Sequence, residues 1–157
     1  MTAMQIRSSA FADGVEIPSR FTCEGADISP PLSLSGVPEQ AASLVLVVED
    51  PDAPDPAAPK MTWVHWLLYN LPPDTGMLAE DVQSLPVGTG VGLNSWQRAS
   101  YAGPCPPVGR HRYYFRLYAL DIRLPDLAHP TRKMLLQVMA GHVLASVTLL
   151  GTYRKQG

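Results

Sequence analysis

Three short segments place ionisable and hydrogen-bonding side chains at the ends of apolar runs. The first is Asp50-Pro51-Asp52-Ala53-Pro54, directly after Leu44-Val45-Leu46-Val47-Val48. In extended chain, residues two apart point the same way, so Asp50 and Asp52 are expected to share a face. Pro51 fixes its own φ and pushes Asp50 toward an extended conformation, which makes a stiff carboxylate pair. A surface turn would use the same residues, because Asp-Pro sequences are common in turns. The second segment is Trp63-Val64-His65-Trp66-Leu67. Strand alternation puts Trp63, His65, Leu67 and Tyr69 on one face. Either a packed histidine with satisfied ring nitrogens or a cavity walled by tryptophan would account for His65. The third runs from Gly103-Pro104-Cys105-Pro106-Pro107 into His111-Arg112-Tyr113. There a proline-stiffened loop enters a strand whose first co-facial pair is His111 and Tyr113.

Two chemistries suit these residues. His111 and Tyr113 can each donate a hydrogen bond near neutral pH, and with free N–H groups of the loop they could hold an oxyanion. Alternatively, Asp50, Asp52, His65 and His111 have the ligand types for a divalent metal that would activate a water for phosphatase or esterase chemistry. Their spacing matches no metal motif. A nucleophilic Cys105 beside His111 is a weaker variant, since prolines on both sides favour a packing role. His129 precedes Pro130 in a loop, and His142 reads as a packing or capping residue.

The elements that must position these groups are strands. Sixteen prolines in 157 residues, all between Pro18 and Pro130, are roughly twice average usage and forbid long helices over most of the chain. Apolar residues make up 46%, enough for a core, so the chain is not disordered. Strands are expected at Leu44 to Val48, Thr62 to Asn70 and Arg110 to Leu120, with further ones at residues 4–11 and 147–153. Helix is credible only from Thr131 to about Ser146. Thr131 can cap it, Met134, Leu135, Val138 and Met139 are spaced for one face, and Gly141 weakens its middle. The pattern therefore gives a mostly β fold, a β-sandwich or related sheet with a helical appendix, in one domain over residues 1–157.

Twelve basic and fourteen acidic residues give a net charge of −2. There is no basic stripe, so nucleic acid is a poor partner. No apolar run approaches the length of a membrane span, and the first residues lack the apolar core of a signal peptide. The chain reads as cytoplasmic, where Cys23 and Cys105 are expected as two free thiols.

Taken together, the motifs resemble one family. Thr22-Cys23-Glu24-Gly25 with Ile28-Ser29-Pro30-Pro31-Leu32 looks like its N-terminal loop. The Asp50 and His65 segments resemble its first signature region, and Gly103 to Tyr113 its second. Gly141-His142-Val143-Leu144-Ala145 and Gly151-Thr152-Tyr153 look like its C-terminal end. On these motifs the chain is similar to the phosphatidylethanolamine-binding proteins, also called Raf kinase inhibitor proteins, in their bacterial branch. The resemblance implies an antiparallel β-sandwich with short helices, mainly near the C-terminus, and a non-enzymatic binding protein with a preformed pocket for small anions or phospholipid headgroups such as phosphate and phosphoethanolamine. Carried over by position, the pocket comprises Asp50, Asp52, His65, Pro106, His111 and Tyr113, with no cofactor and no metal. One carboxylate would fix the tautomer of a histidine, and at least one must be neutralised if an anion is to bind. The resemblance leaves open a regulated kinase or protease as partner, and a homodimer. Two positions depart from the family pattern. Leu34 stands where bacterial members often have tryptophan, and Ser95 where an acidic residue is frequent, so Asn94-Ser95-Trp96 is not carried over as a source of binding residues.

Overall fold

The computed structural model describes residues 3–156. Two sheets face each other. The smaller has the order β1 (Gln5–Arg7), β3 (Leu32–Ser35), β6 (Met77–Leu78). The larger runs β2 (Val15–Glu16), β9 (Val143–Tyr153), β8 (His111–Leu120), β4 (Ser43–Ala53), β5 (Met61–Leu71), β7 (Gly90–Val91). Every pairing is antiparallel except β2 with β9, which is parallel. Of the arrangements that the proline-broken pattern left open, the chain forms the β-sandwich that the resemblance implies.

β4 lies at the centre of the large sheet, between β5 and β8. Its continuous apolar run follows from burial on both faces. Leu44, Leu46 and Val48 pack toward the small sheet with Phe115, Leu117, Trp66 and Leu68. Val45 and Val47 face the other way, against Leu67, Tyr69, Leu120, Leu135 and Met139. Each such aliphatic side chain contributes about 2 kcal/mol on full burial, so both layers are needed to hold β4 in place. Leu34 is buried in the inter-sheet core, which accommodates leucine at that position.

The helical segment is shorter than expected. α1 spans Arg132–Met139, capped by the Thr131 side chain on the Met134 N–H at 3.3 Å, and it buries Leu135 and Met139 while Met134 stays exposed. Gly141 then adopts φ +84, the left-handed conformation that ends helices, and Val143 pairs with Leu120. Residues 143–146 are thus strand, because the edge of β8 offers them backbone partners. His142 lies in the connecting turn, its Nδ1 2.9 Å from Asp121 Oδ1. At the other end, β1 covers only Gln5–Arg7 of the expected strand at residues 4–11. α1 is tied to the sheet by the buried Glu49, which pairs with Arg116 of β8 at 2.8 Å and Arg132 of α1 at 2.7 Å.

Cys23 and Cys105 are not free thiols. They form a disulfide with Cα atoms 5.4 Å apart and a sequence separation of 82. The fold brings the two loops together: the Cys23 N–H donates to the Pro104 carbonyl at 3.1 Å beside the bond. Disulfides persist mainly outside the reducing cytosol, so this pair gives the cytoplasmic expectation no support. Among the described residues, no helix is long and apolar enough to cross a membrane.

Candidate functional site

The C-terminal end of β4, the middle of β5 and the start of β8 meet at one end of the large sheet. Regular alternation along β5 would send His65 to the same side as Leu67 and Tyr69. It does not, because β5 carries an extra residue there: Val48 pairs with Trp66, but Glu49 pairs with Val64. This β-bulge re-aims His65 to the inter-sheet side, where its ring centroid lies 5.2 Å from that of Tyr113. Leu67 and Tyr69 remain in the opposite layer. A second irregularity between Asp50 and Ala53 separates the two aspartates. Asp50 reaches His111, whereas Asp52 caps the end of β8. Its Oδ2 accepts from the Arg112 backbone N–H at 2.9 Å and Nε at 3.0 Å, and Oδ1 from Nη2 at 2.9 Å.

These elements enclose a cavity of about 450 Å³. Of the expected set, Asp50, His65, Pro106, His111 and Tyr113 line it, and Asp52 does not. Trp63, Trp96, Met61, Ala53, Pro54, Cys105 and Pro107 complete the wall. Apolar rings therefore surround a small polar floor. Trp63 and Trp96 meet edge to face at 5.5 Å, and Trp96 contacts His65 in the same manner at 5.2 Å.

Trp96 is the wall residue that reading by motif set aside. Its position is built by its neighbours. The buried Asn94 accepts the Trp96 N–H at 2.9 Å and donates to the Ser100 carbonyl at 2.8 Å. Ser95 fastens the turn to β5 through Val64, accepting its N–H on Oγ at 2.8 Å and donating its own N–H to the carbonyl at 2.9 Å. An asparagine whose side chain accepts an N–H two residues ahead is a turn signal that the sequence did carry.

The proline loop is clamped from behind. The Gly103 N–H donates to Asp27 Oδ1 at 2.7 Å, and the disulfide holds Cys105. Gly103 has no room for a side chain, because a Cβ there would collide with the Phe21 carbonyl oxygen and with Asp27. In front, the Ala102 carbonyl accepts from His65 Nδ1 at 2.6 Å.

The electrostatics of the floor follow from these contacts. His111 Nε2 lies 2.8 Å from the Val108 carbonyl, which can only accept, so Nε2 carries a proton. His111 Nδ1 lies 2.6 Å from Asp50 Oδ2, a contact that requires a second proton between the two atoms. Whichever atom holds that proton, the pair has no net charge. His111 is thus left without a free donor for a ligand, unlike the role expected of it from sequence. Burial raises the Asp50 carboxyl above its usual range, against the hydrogen bond from His111. The Arg112 fork holds Asp52 below that range, overcoming its burial. Both carboxylates are therefore compensated by partners within the protein. Burial lowers His65 from 6.5 to about 4, so its ring is neutral at physiological pH, with the proton on Nδ1 and an unprotonated Nε2. Burial, then the charge of Asp50 and a hydrogen bond toward it, push the Tyr113 phenol well up, so it stays a donor.

Asp50, Asp52, His65 and His111 do not form an open ligand set for a metal. Asp52 is turned to Arg112, and three of the four imidazole nitrogens have partners within the protein. Among the described residues, no group of three or more His, Cys, Asp and Glu could hold an ion.

Comparison with known proteins agrees with this architecture. The family model described as phosphatidylethanolamine-binding protein matches residues 7–154. A UPF0098 protein of Chlamydia trachomatis is 48% identical over 152 residues, covering 97% of this chain and 99% of its own length. A UPF0098 protein of Methanothermobacter thermautotrophicus is 46% identical over 155 residues, with the same coverage, 97% and 99%. Among solved structures, CT736 from Chlamydia trachomatis, a proposed phosphatidylethanolamine-binding protein homologue, superposes with a TM-score of 0.92 at 47% identity, covering 99% of this chain and 100% of that one. YbcL of E. coli, described as a member of the mammalian family, gives 0.87 at 27% identity, also covering 99% and 100%.

Proposed function

This chain belongs to the phosphatidylethanolamine-binding protein family, and on that premise we propose that its cavity binds a small anion or a phosphorylated headgroup without transforming it. The observation that carries the reading is the uncharged Asp50–His111 pair beneath apolar walls. A free carboxylate there would repel an anion, and the pair removes that repulsion while keeping the floor polar. The Tyr113 hydroxyl is a rotor whose proton can swing from Asp50 to a ligand oxygen. Phosphate or carboxylate oxygens would sit over this hydroxyl, and the carbon portion of the ligand against Trp63 and Trp96. Binding needs little rearrangement, because prolines and the disulfide already fix the loop.

The test follows the ring resonances of His65 and His111 while inorganic phosphate and O-phosphorylethanolamine are titrated, with and without zinc. Saturable shifts caused by the anion alone, weakened about tenfold in Tyr113→Phe, are expected. One lost hydrogen bond to a charged ligand, about 1.5 kcal/mol or more, sets that factor. Shifts that need zinc, together with chelator-sensitive hydrolysis of an aryl phosphate, would instead establish the metal-dependent hydrolase.

A further inference from the structure

We propose that the cavity discriminates by ligand charge, taking singly charged anions such as carboxylates and phosphodiesters in preference to phosphomonoester dianions. This rests on the anion-binding reading above. Its basis is a proton count over the residues that face the cavity. No lysine or arginine is among them. Asp50 and His111 together hold the two protons that their contacts to each other and to Val108 require, which makes the pair neutral. His65 donates its ring proton to the Ala102 carbonyl and has none for a ligand.

Of the cations nearest in sequence, Arg112 is forked onto Asp52, Arg110 lies 3.2 Å from Glu16, and Lys60 and Arg98 are solvent-exposed. None of the four lines the cavity. The site therefore supplies hydrogen bonds without net positive charge. One negative charge spread over two oxygens can be stabilised by the Tyr113 hydroxyl above the neutral pair. A second would enter a space walled by Trp63, Trp96, Pro106 and Pro107 with no counter-charge, where desolvation is expensive. Pro106 and Pro107 lack N–H groups, so the loop has few further donors to give. The same walls favour a diester, whose alkyl groups bury apolar surface that inorganic phosphate does not have.

Calorimetric titration at pH 8 and fixed ionic strength decides the matter with acetate, diethyl phosphate, ethyl phosphate and triethyl phosphate as probes. Diethyl phosphate is expected to bind at least tenfold more tightly than the ethyl phosphate dianion, and neutral triethyl phosphate more weakly than diethyl phosphate. Met61 sits at the rim and is 45% exposed, so Met61→Lys adds a cation without disturbing the core. That variant should improve ethyl phosphate binding more than diethyl phosphate binding, and the gain should fade in high salt. Equal or tighter binding of ethyl phosphate by the unmodified protein overturns the charge selection and leaves the anion site standing. No heat and no resonance shift with any of the three anions overturns both.

Discussion

The neutral, buried His65 makes the acid sensitivity of this fold quantitative. In the unfolded chain its ring titrates at 6.5, and in the folded protein at about 4. The unfolded state therefore binds a proton through a pH range in which the folded state refuses it. The contribution is fully present above 6.5 and is lost as pH falls toward 4. At 1.36 kcal/mol per pH unit, the loss is about 3 kcal/mol, a large share of a typical domain's stability. Two neighbours act differently. Asp50, whose carboxyl is raised by burial, gains stability on acidification and opposes His65 in the upper part of its own window. Asp52, held down by Arg112, loses stability only below about 3.8, its ordinary value. Comparison with His65→Gln isolates the histidine, since glutamine can keep a donor to the Ala102 carbonyl and cannot titrate. Urea unfolding of both proteins at pH 7.5, 6, 5 and 4.5, read by tryptophan fluorescence, gives the two slopes. The native protein should lose about 2 to 3 kcal/mol more than the variant across that range. The reasoning fails if both lose the same amount, or if the His65 ring resonance titrates between pH 6 and 7.

Two further outcomes test the clamp behind the cavity. Cys23→Ala with Cys105→Ala, or full reduction, should cost roughly 4.5 kcal/mol by the loop-closure entropy of an 82-residue separation, and an unchanged denaturation midpoint would contradict this. Gly103→Ala should destabilise by about 1–3 kcal/mol, because the new Cβ collides with the Phe21 carbonyl. It should also shift the His65 ring resonance, since Ala102 holds that ring; a variant of native stability with an unmoved resonance would show the loop to be looser than the structure has it.

The location of the site puts its three polar clusters under different kinds of control. β4 is held by burial on both faces and is the rigid reference. β8 enters beside it in register from Ser43↔Leu120 to Glu49↔Tyr114, which fixes His111 and Tyr113 relative to Asp50. The Gly103–Pro107 loop has no ladder to hold it and depends on side-chain and disulfide anchors. Under the proposed anion binding, affinity should therefore depend on residues outside the cavity wall that anchor this loop, Asp27 and Cys23 foremost.

Local rules made much of this legible. Proline placement excluded a helical architecture because the ring removes a donor wherever it stands. The apolar run of β4 announced a doubly buried strand, and three polar strand ends drew attention to Asp50, His65, His111 and Tyr113. The resemblance in motif then implied the fold and the cavity. Other features depended on contacts between residues distant in sequence. Alternation could not anticipate that β5 carries an extra residue at His65, because a bulge is defined only against its partner strand. The same holds for Asp52, which leaves its neighbour Asp50 because Arg112 lies across the ladder. Trp96 joins the wall because Asn94 and Ser95 fold its turn onto Val64, and Cys23 meets Cys105 because two loops 82 residues apart converge. The charge of the floor is likewise a tertiary property. Composition supplies an aspartate and a histidine; only their 2.6 Å approach, with Val108 on the far side of the ring, makes the pair neutral and removes a free carboxylate from the cavity floor.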